Sequence, residues 1–116
     1  KLGNINSKRD WGHARDYVYA MWLILQQKRP DDFVIATGKQ HSVKDFAKLA
    51  FSIAGLDYKK YIKIDKSLMR PAEVENLLGN YKKAKKVLKW KPKISFNKLV
   101  REMVESDLEL VKNNKY

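Results

Sequence analysis

The sequence predicts a mainly helical α/β lobe of about four helices and two short strands. Three observations predict it. Apolar residues recur at spacings of three and four in several separate stretches. Only two short runs read as strand. Composition is that of a folded domain, with 44% hydrophobic and 33% charged residues in a chain of 116. Residues 1–116 are read as a single domain with a modest core.

Residues 1–12 read as irregular or weakly extended, with Gly3 and Gly12 as breakers. A first helix is predicted from His13 to Gln27, because Ala14, Tyr17, Val18, Met21, Trp22 and Leu25 fall on one helical stripe. Pro30-Asp31-Asp32 reads as a turn. Phe33-Val34-Ile35-Ala36-Thr37 then reads as a short buried strand closed by Gly38. Ser42 is an N-cap for a second helix with Val43, Phe46, Ala47, Ala50 and Phe51 inward, and Gly55 ends it. Tyr61-Ile62-Lys63-Ile64-Asp65 alternates and reads as the second strand. Pro71 disfavours helix at Arg70, so Arg70 is expected to project from a loop. Asn80 caps a third helix over residues 81–89, which Trp90-Lys91-Pro92 breaks. The last helix starts at Ser95 or Asn97 and carries Leu99, Val100, Met103, Val104, Leu108 and Val111 as its stripe. Residues 113–116 are expected to fray. Strands this few and this far apart do not make an independent doubly wound sheet, so the lobe is expected to pack on something else.

Composition also excludes functions. There is no cysteine, so disulfides, thiolate catalysis and Cys-ligated zinc are ruled out, and a cytoplasmic setting is the expectation. His13 and His41 are the only histidines and lie in no metal-ligating spacing. The longest apolar run, Ala20–Leu25, is far short of the ~20 residues of a membrane span. No signal peptide is read at Lys1, and the chain reads as cut from the interior of a longer protein. A net charge of +12, concentrated in lysines between Lys82 and Lys93, admits a basic nucleic-acid-binding module. The alternative is a solvated lysine face, which is preferred because no recognition motif accompanies the charge.

The residues that carry binding chemistry are Arg9, Arg70 and Glu73. Arg70-Pro71-Ala72-Glu73-Val74 sets a permanent cation three residues from a carboxylate on a turn-rich segment, and Arg9-Asp10-Trp11-Gly12 supplies a second guanidinium upstream. A planar guanidinium donates two parallel hydrogen bonds to phosphate and never loses its charge. A carboxylate accepts from ribose hydroxyls. The competing readings are a surface pair of Arg9 with Asp10 or Asp16, and a local Arg70–Glu73 pair that pins the turn. Asp10 and Asp16 are given structural roles, Asp16 at the start of the first helix, where a carboxylate favours the dipole. Trp22 and Trp90 are assigned to core packing; Trp11, beside Arg9, is left open between packing and stacking on a base. No residue is assigned to catalysis, cofactor or metal. Gly-rich dinucleotide fingerprints are absent, and the one Tyr-x-x-x-Lys match, Tyr81 with Lys85, falls in a lysine-rich helix where it arises by chance.

Taken in order along the chain, several stretches resemble the GDP-mannose 4,6-dehydratases among the extended short-chain dehydrogenase/reductases. They are Lys8 to Trp22, Asp32-Phe33-Val34-Ile35-Ala36-Thr37-Gly38, Arg70-Pro71-Ala72-Glu73-Val74, Leu88-Lys89-Trp90-Lys91-Pro92 and the helix from Leu99 to Glu109. The resemblance implies the small C-terminal, substrate-binding lobe of a Rossmann-type enzyme, without the Rossmann sheet. It implies a parent lyase that turns GDP-mannose into GDP-4-dehydro-6-deoxymannose with internal NADP redox recycling, the NADP and the catalytic groups lying in an N-terminal domain. Arg9 and Arg70 would hold the diphosphate, and Glu73 the ribose hydroxyls or the base side of GDP. The partners implied are GDP-mannose or another GDP-sugar, the Rossmann domain (against which Trp22, Ile24 and Leu25 of the first helix would pack) and further copies in a homo-oligomer. The same lobe in an epimerase, dehydratase or reductase for another nucleotide is the alternative.

Overall fold

In the computed structural model, which describes residues 1–114, two helical clusters are joined by an extended N-terminal segment. The elements are β1 (Lys8–Arg9), α1 (Ala14–Leu25), β2 (His41–Ser42), α2 (Val43–Ile53), α3 (Tyr58–Tyr61), a 3-10 turn (Lys66–Leu68), α4 (Lys82–Val87) and α5 (Phe96–Lys112). The expected fraying at Lys115 and Tyr116 lies outside the described residues.

Local chemistry sets the helix starts. His13 caps α1, its Nδ1 accepting from the Arg15 amide at 2.9 Å. Ser42 and Asp45 form a reciprocal capping box on α2, which satisfies two otherwise orphaned donors. The Asn80 side chain accepts from the Lys82 amide at 3.0 Å, and Ser95 Oγ from the Lys98 amide at 3.2 Å. The α4 helix stops where Lys89 turns into the left-handed region (φ 58°), and the Trp90 amide folds back onto the Ala84 carbonyl.

One cluster joins α1 to α4 around Ala20, Ala84, Leu88 and Trp90, with Tyr17, Leu23, Ile24, Phe33, Ile35 and Tyr81 packed on it. Trp90 is 1% exposed, and its indole N–H donates to the Asp16 carbonyl at 3.0 Å. The other cluster packs α2 on α5 through Trp11, Phe46, Phe96 and His41, whose rings stack or cross at centroid distances of 3.8 to 5.9 Å.

Both predicted strands differ from the observed ones. Residues 33–37 form no ladder among the described residues: Phe33 and Ile35 pack on the helices, while the Thr37 and Gly38 amides donate to the Asp10 carboxylate. Of residues 61–65, Tyr61 ends α3, Ile64 makes one parallel bridge to Leu2, and Asp65 caps the following 3-10 turn. The two strands that do form, β1 and β2, pair antiparallel with Lys8 opposite Ser42 and Arg9 opposite His41.

Trp22 is a further correction. It is 55% exposed, because α1 turns Asp16, Ala20 and Ile24 inward and leaves Val18, Tyr19, Met21, Trp22 and Leu25 outward. Met103, Leu108 and Val111 of α5 are likewise exposed, and only Leu99 and Val100 of that stripe are buried. The molecule is a slab of 52 × 39 × 20 Å. Its radius of gyration of 17.0 Å exceeds the roughly 13 Å of a compact chain of this length. Among the described residues no helix is long and apolar enough to cross a membrane.

Candidate functional site

The site is built around β1. On one side Lys8 and Arg9 pair with β2; on the other, the Lys8 amide donates to the Glu75 carbonyl at 2.6 Å and the Leu77 amide to the Lys8 carbonyl at 3.0 Å. This parallel bridge from Lys8 to Asn76 draws the end of the Arg-Pro-Ala-Glu loop alongside the strand. Upstream, Leu2 exchanges backbone hydrogen bonds with Lys63 and Asp65. The N-terminal segment therefore holds the chain at both ends of an excursion over residues 66–74.

That arrangement brings Arg9 and Glu73 together across 64 positions of sequence. Arg9 Nη2 lies 3.5 Å from Glu73 Oε1, with both side chains about one-quarter exposed, and Arg9 Nη1 donates to the Lys8 carbonyl at 2.8 Å. Arg9 thus pairs with neither Asp10 nor Asp16. Arg70 sits on the excursion, exposed, and makes no ion pair or side-chain hydrogen bond among the described residues. The local Arg70–Glu73 pair does not form.

Asp10 and Asp16 hold the fold, in more specific ways than their spacing reveals. Asp10 Oδ1 accepts from the Thr37 amide and hydroxyl at 2.9 and 2.5 Å, and Oδ2 from the Gly38 and Gly79 amides at 3.0 and 3.2 Å. Asp16 is buried at 7% exposure, and its Oδ2 accepts from the Lys93 and Ile94 amides at 3.0 and 2.9 Å. Two glycines make room for these crossings. A Cβ on Gly12 would overlap the Tyr17 ring, and one on Gly79 would overlap Ala36 Cβ. Burial, with Asp10 and then Asp16 adding negative charge, pushes the Tyr17 phenol above its ordinary pKa.

The other singled-out residues go to packing. Trp11 lies between Phe46 and Phe96, and Tyr81 meets Trp90 edge-on, so the Tyr81–Lys85 spacing serves the core. His13 Nε2 lies 3.1 Å from Glu102 of α5, and Arg15 reaches the same carboxylate at 3.3 Å, a tie between α1 and α5 that no local pattern announces.

A family model described as GDP-mannose 4,6 dehydratase matches residues 1–103. The chain belongs to that family. GDP-mannose 4,6 dehydratase 1 of Arabidopsis thaliana is 55% identical over 114 residues, covering 98% of this chain and 32% of the relative. The relative from Dictyostelium discoideum is 52% identical over 129 residues (97% and 36%), and that of Homo sapiens 45% over 130 (97% and 35%). The chain spans about a third of the length of the curated relatives it matches. Among solved structures, UDP-glucose 4-epimerase of Thermotoga maritima, with UDP-glucose, is similar at a TM-score of 0.83 and 28% identity, over 96% of this chain and 35% of that one. A dTDP-glucose 4,6-dehydratase of Bacillus anthracis, in complex with NAD, shares the fold at a TM-score of 0.83 and 21% identity, over 93% and 33%.

Proposed function

We propose that residues 1–116 form the sugar-nucleotide-binding domain of a GDP-mannose 4,6-dehydratase, the C-terminal lobe of a Rossmann-type extended short-chain dehydrogenase/reductase. The observation that carries this reading is the convergence of Arg9 and Glu73, residues 64 positions apart, in a chain of this family. Arg9 and the exposed Arg70 grip the diphosphate of GDP-mannose. Among the described residues Glu73 makes a single side-chain contact, to Arg9, which leaves its other oxygen to accept from ribose hydroxyls or the base side.

No Gly-x-Gly-x-x-Gly run stands in the sequence, which supports placing the dinucleotide outside this lobe. NADP and the lyase chemistry are assigned to the remainder of the whole enzyme, and this lobe by itself is inactive. The outward face of α1 and the flat shape of the molecule support a Rossmann domain as the partner that covers it. Lack of cysteine favours the cytoplasm, and the whole enzyme is read as a homo-oligomer.

The test is a chimera in which this chain replaces the matching segment of the Arabidopsis relative. It should convert GDP-mannose, and Arg9→Ala or Arg70→Ala should each weaken GDP-mannose binding by ~10–150-fold, the equivalent of one charge-assisted contact. A folded chimera with no affinity for GDP-mannose sinks the reading. The likeness to an epimerase solved with UDP-glucose keeps a second nucleotide in view; competition among GDP, UDP, dTDP and CDP on the same chimera decides the base.

A further inference from the structure

Resting on that reading, we propose that Asp10 is a positioning residue for the nucleotide grip, setting where the Arg-Pro-Ala-Glu loop lies over Arg9. Asp10 follows Arg9 directly, and Gly79 lies six residues after Glu73. One carboxylate therefore ties the strand that carries the first cation to the segment on which the loop returns. Its two oxygens are both committed: Oδ1 to Thr37, Oδ2 to the Gly38 and Gly79 amides. The Gly79 crossing is close, since a Cβ there would overlap Ala36 Cβ and stand 3.4 Å from Val34 Cγ1. Gly79 therefore admits no side chain, and the loop's other tether to β1 is the pair of backbone bonds at Lys8. Glu73 lies at the end of the excursion, two residues before the first tether at Glu75, so the Arg9–Glu73 distance follows from these tethers.

An amide at this position cannot replace the carboxylate. Asparagine offers one acceptor oxygen. With that oxygen kept toward Thr37, its NH2 meets the Gly38 and Gly79 N–H groups donor to donor. Thr37→Ala is the contrasting change, since it deletes a hydroxyl from the same cluster and leaves Asp10 its bonds to Gly38 and Gly79.

The experiment is amide hydrogen exchange by mass spectrometry on this chain carried in the Arabidopsis chimera, with GDP as probe at millimolar concentration. In Asp10→Asn the Gly79 amide should exchange about tenfold faster while amides of α2 and α5 hold their protection, and GDP should bind about tenfold more weakly. Thr37→Ala should change GDP affinity by no more than about twofold. Unchanged GDP affinity in folded Asp10→Asn, or an equal loss in Thr37→Ala, overturns the proposal. Should Asp10→Asn not fold, the wild-type chimera decides: by reciprocity of coupling, bound GDP must slow Gly79 exchange, and exchange that GDP does not move overturns it. Failure of the wild-type chimera to bind GDP counts against the functional reading alone, and the response of Gly79 to Asp10→Asn still decides the anchoring.

Discussion

Asp16, in the first turn of α1, and Glu73, on a loop, are both carboxylates, and they are used in opposite ways. Asp16 is buried and takes two backbone donors at 3.0 and 2.9 Å. Among the described residues Glu73 keeps a single side-chain contact, at 3.5 Å, to a guanidinium. A carboxylate has about four acceptor positions. Where a buried carboxylate takes backbone amides, the group belongs to the fold; where one long contact to a guanidinium is all it has among the described residues, the group has capacity left for a ligand. Sequence spacing puts Asp16 at a helix start but gives no sign of the Lys93 and Ile94 amides it accepts from.

Two substitutions should break the fold side of this comparison. Trp90→Ala removes the fully buried indole between α1 and α4 together with its bond to the Asp16 carbonyl. It should cost about 4 kcal/mol in urea denaturation. Asp16→Ala leaves the Lys93 and Ile94 amides without a partner and should cost about 3 kcal/mol. Asp16→Asn should cost far less, because both donors converge on the single oxygen Oδ2, which an amide oxygen can replace. Equal losses in the alanine and asparagine variants would show that the carboxylate's charge, rather than its acceptor, is what holds the loop.

The ligand side should respond the other way. Glu73→Ala should change stability by no more than about 0.5 kcal/mol, as for a surface change. It should weaken GDP-mannose binding in the chimera by roughly tenfold, one hydrogen bond to a charged group. If Glu73→Ala instead lowers the unfolding midpoint while affinity stays level, the carboxylate is a loop brace and the contrast with Asp16 collapses.

The helices were legible because their signals are local. Ser42 and Ser95 stand at the N-caps of α2 and α5, Asn80 stands one residue before the Tyr81 cap of α4, and the apolar spacings of α2 and α5 lie within single segments. The strands were not. Residues 33–37 carry strand-like side chains, yet a strand requires a backbone partner, and here the Thr37 and Gly38 amides are taken by Asp10, 27 and 28 residues away. Trp22 failed for a related reason. The α1 stripe from Val18 to Leu25 is correctly apolar, but its periodicity does not say which apolar face meets this chain's own core. Of the candidate site, Arg9, Arg70 and Glu73 are proposed on their chemistry alone; that Arg9 rather than Arg70 meets Glu73 follows from the Lys8–Asn76 bridge, a long-range pairing with no local mark.

The smallest effect concerns a third kind of carboxylate, neither buried nor facing a ligand. Asp45 is exposed and only closes the capping box of α2, accepting from the Ser42 amide at 3.1 Å. That backbone bond, opposed by a little burial and aided by the Ser42 hydroxyl and the charges of His41 and Lys8, holds its carboxyl below the ordinary range. A depressed pKa in the folded state means stabilisation that is present above the unfolded value of about 3.9 and fades as pH falls through the folded value. Ser42→Ala should therefore cost about 1 kcal/mol at neutral pH. The gap in urea midpoint between wild type and Asp45→Asn should narrow as pH is lowered from about 5 toward 3. A gap that stays constant over this range would mean that Asp45 acts through packing or shape, and that its bond to the Ser42 amide contributes nothing through charge.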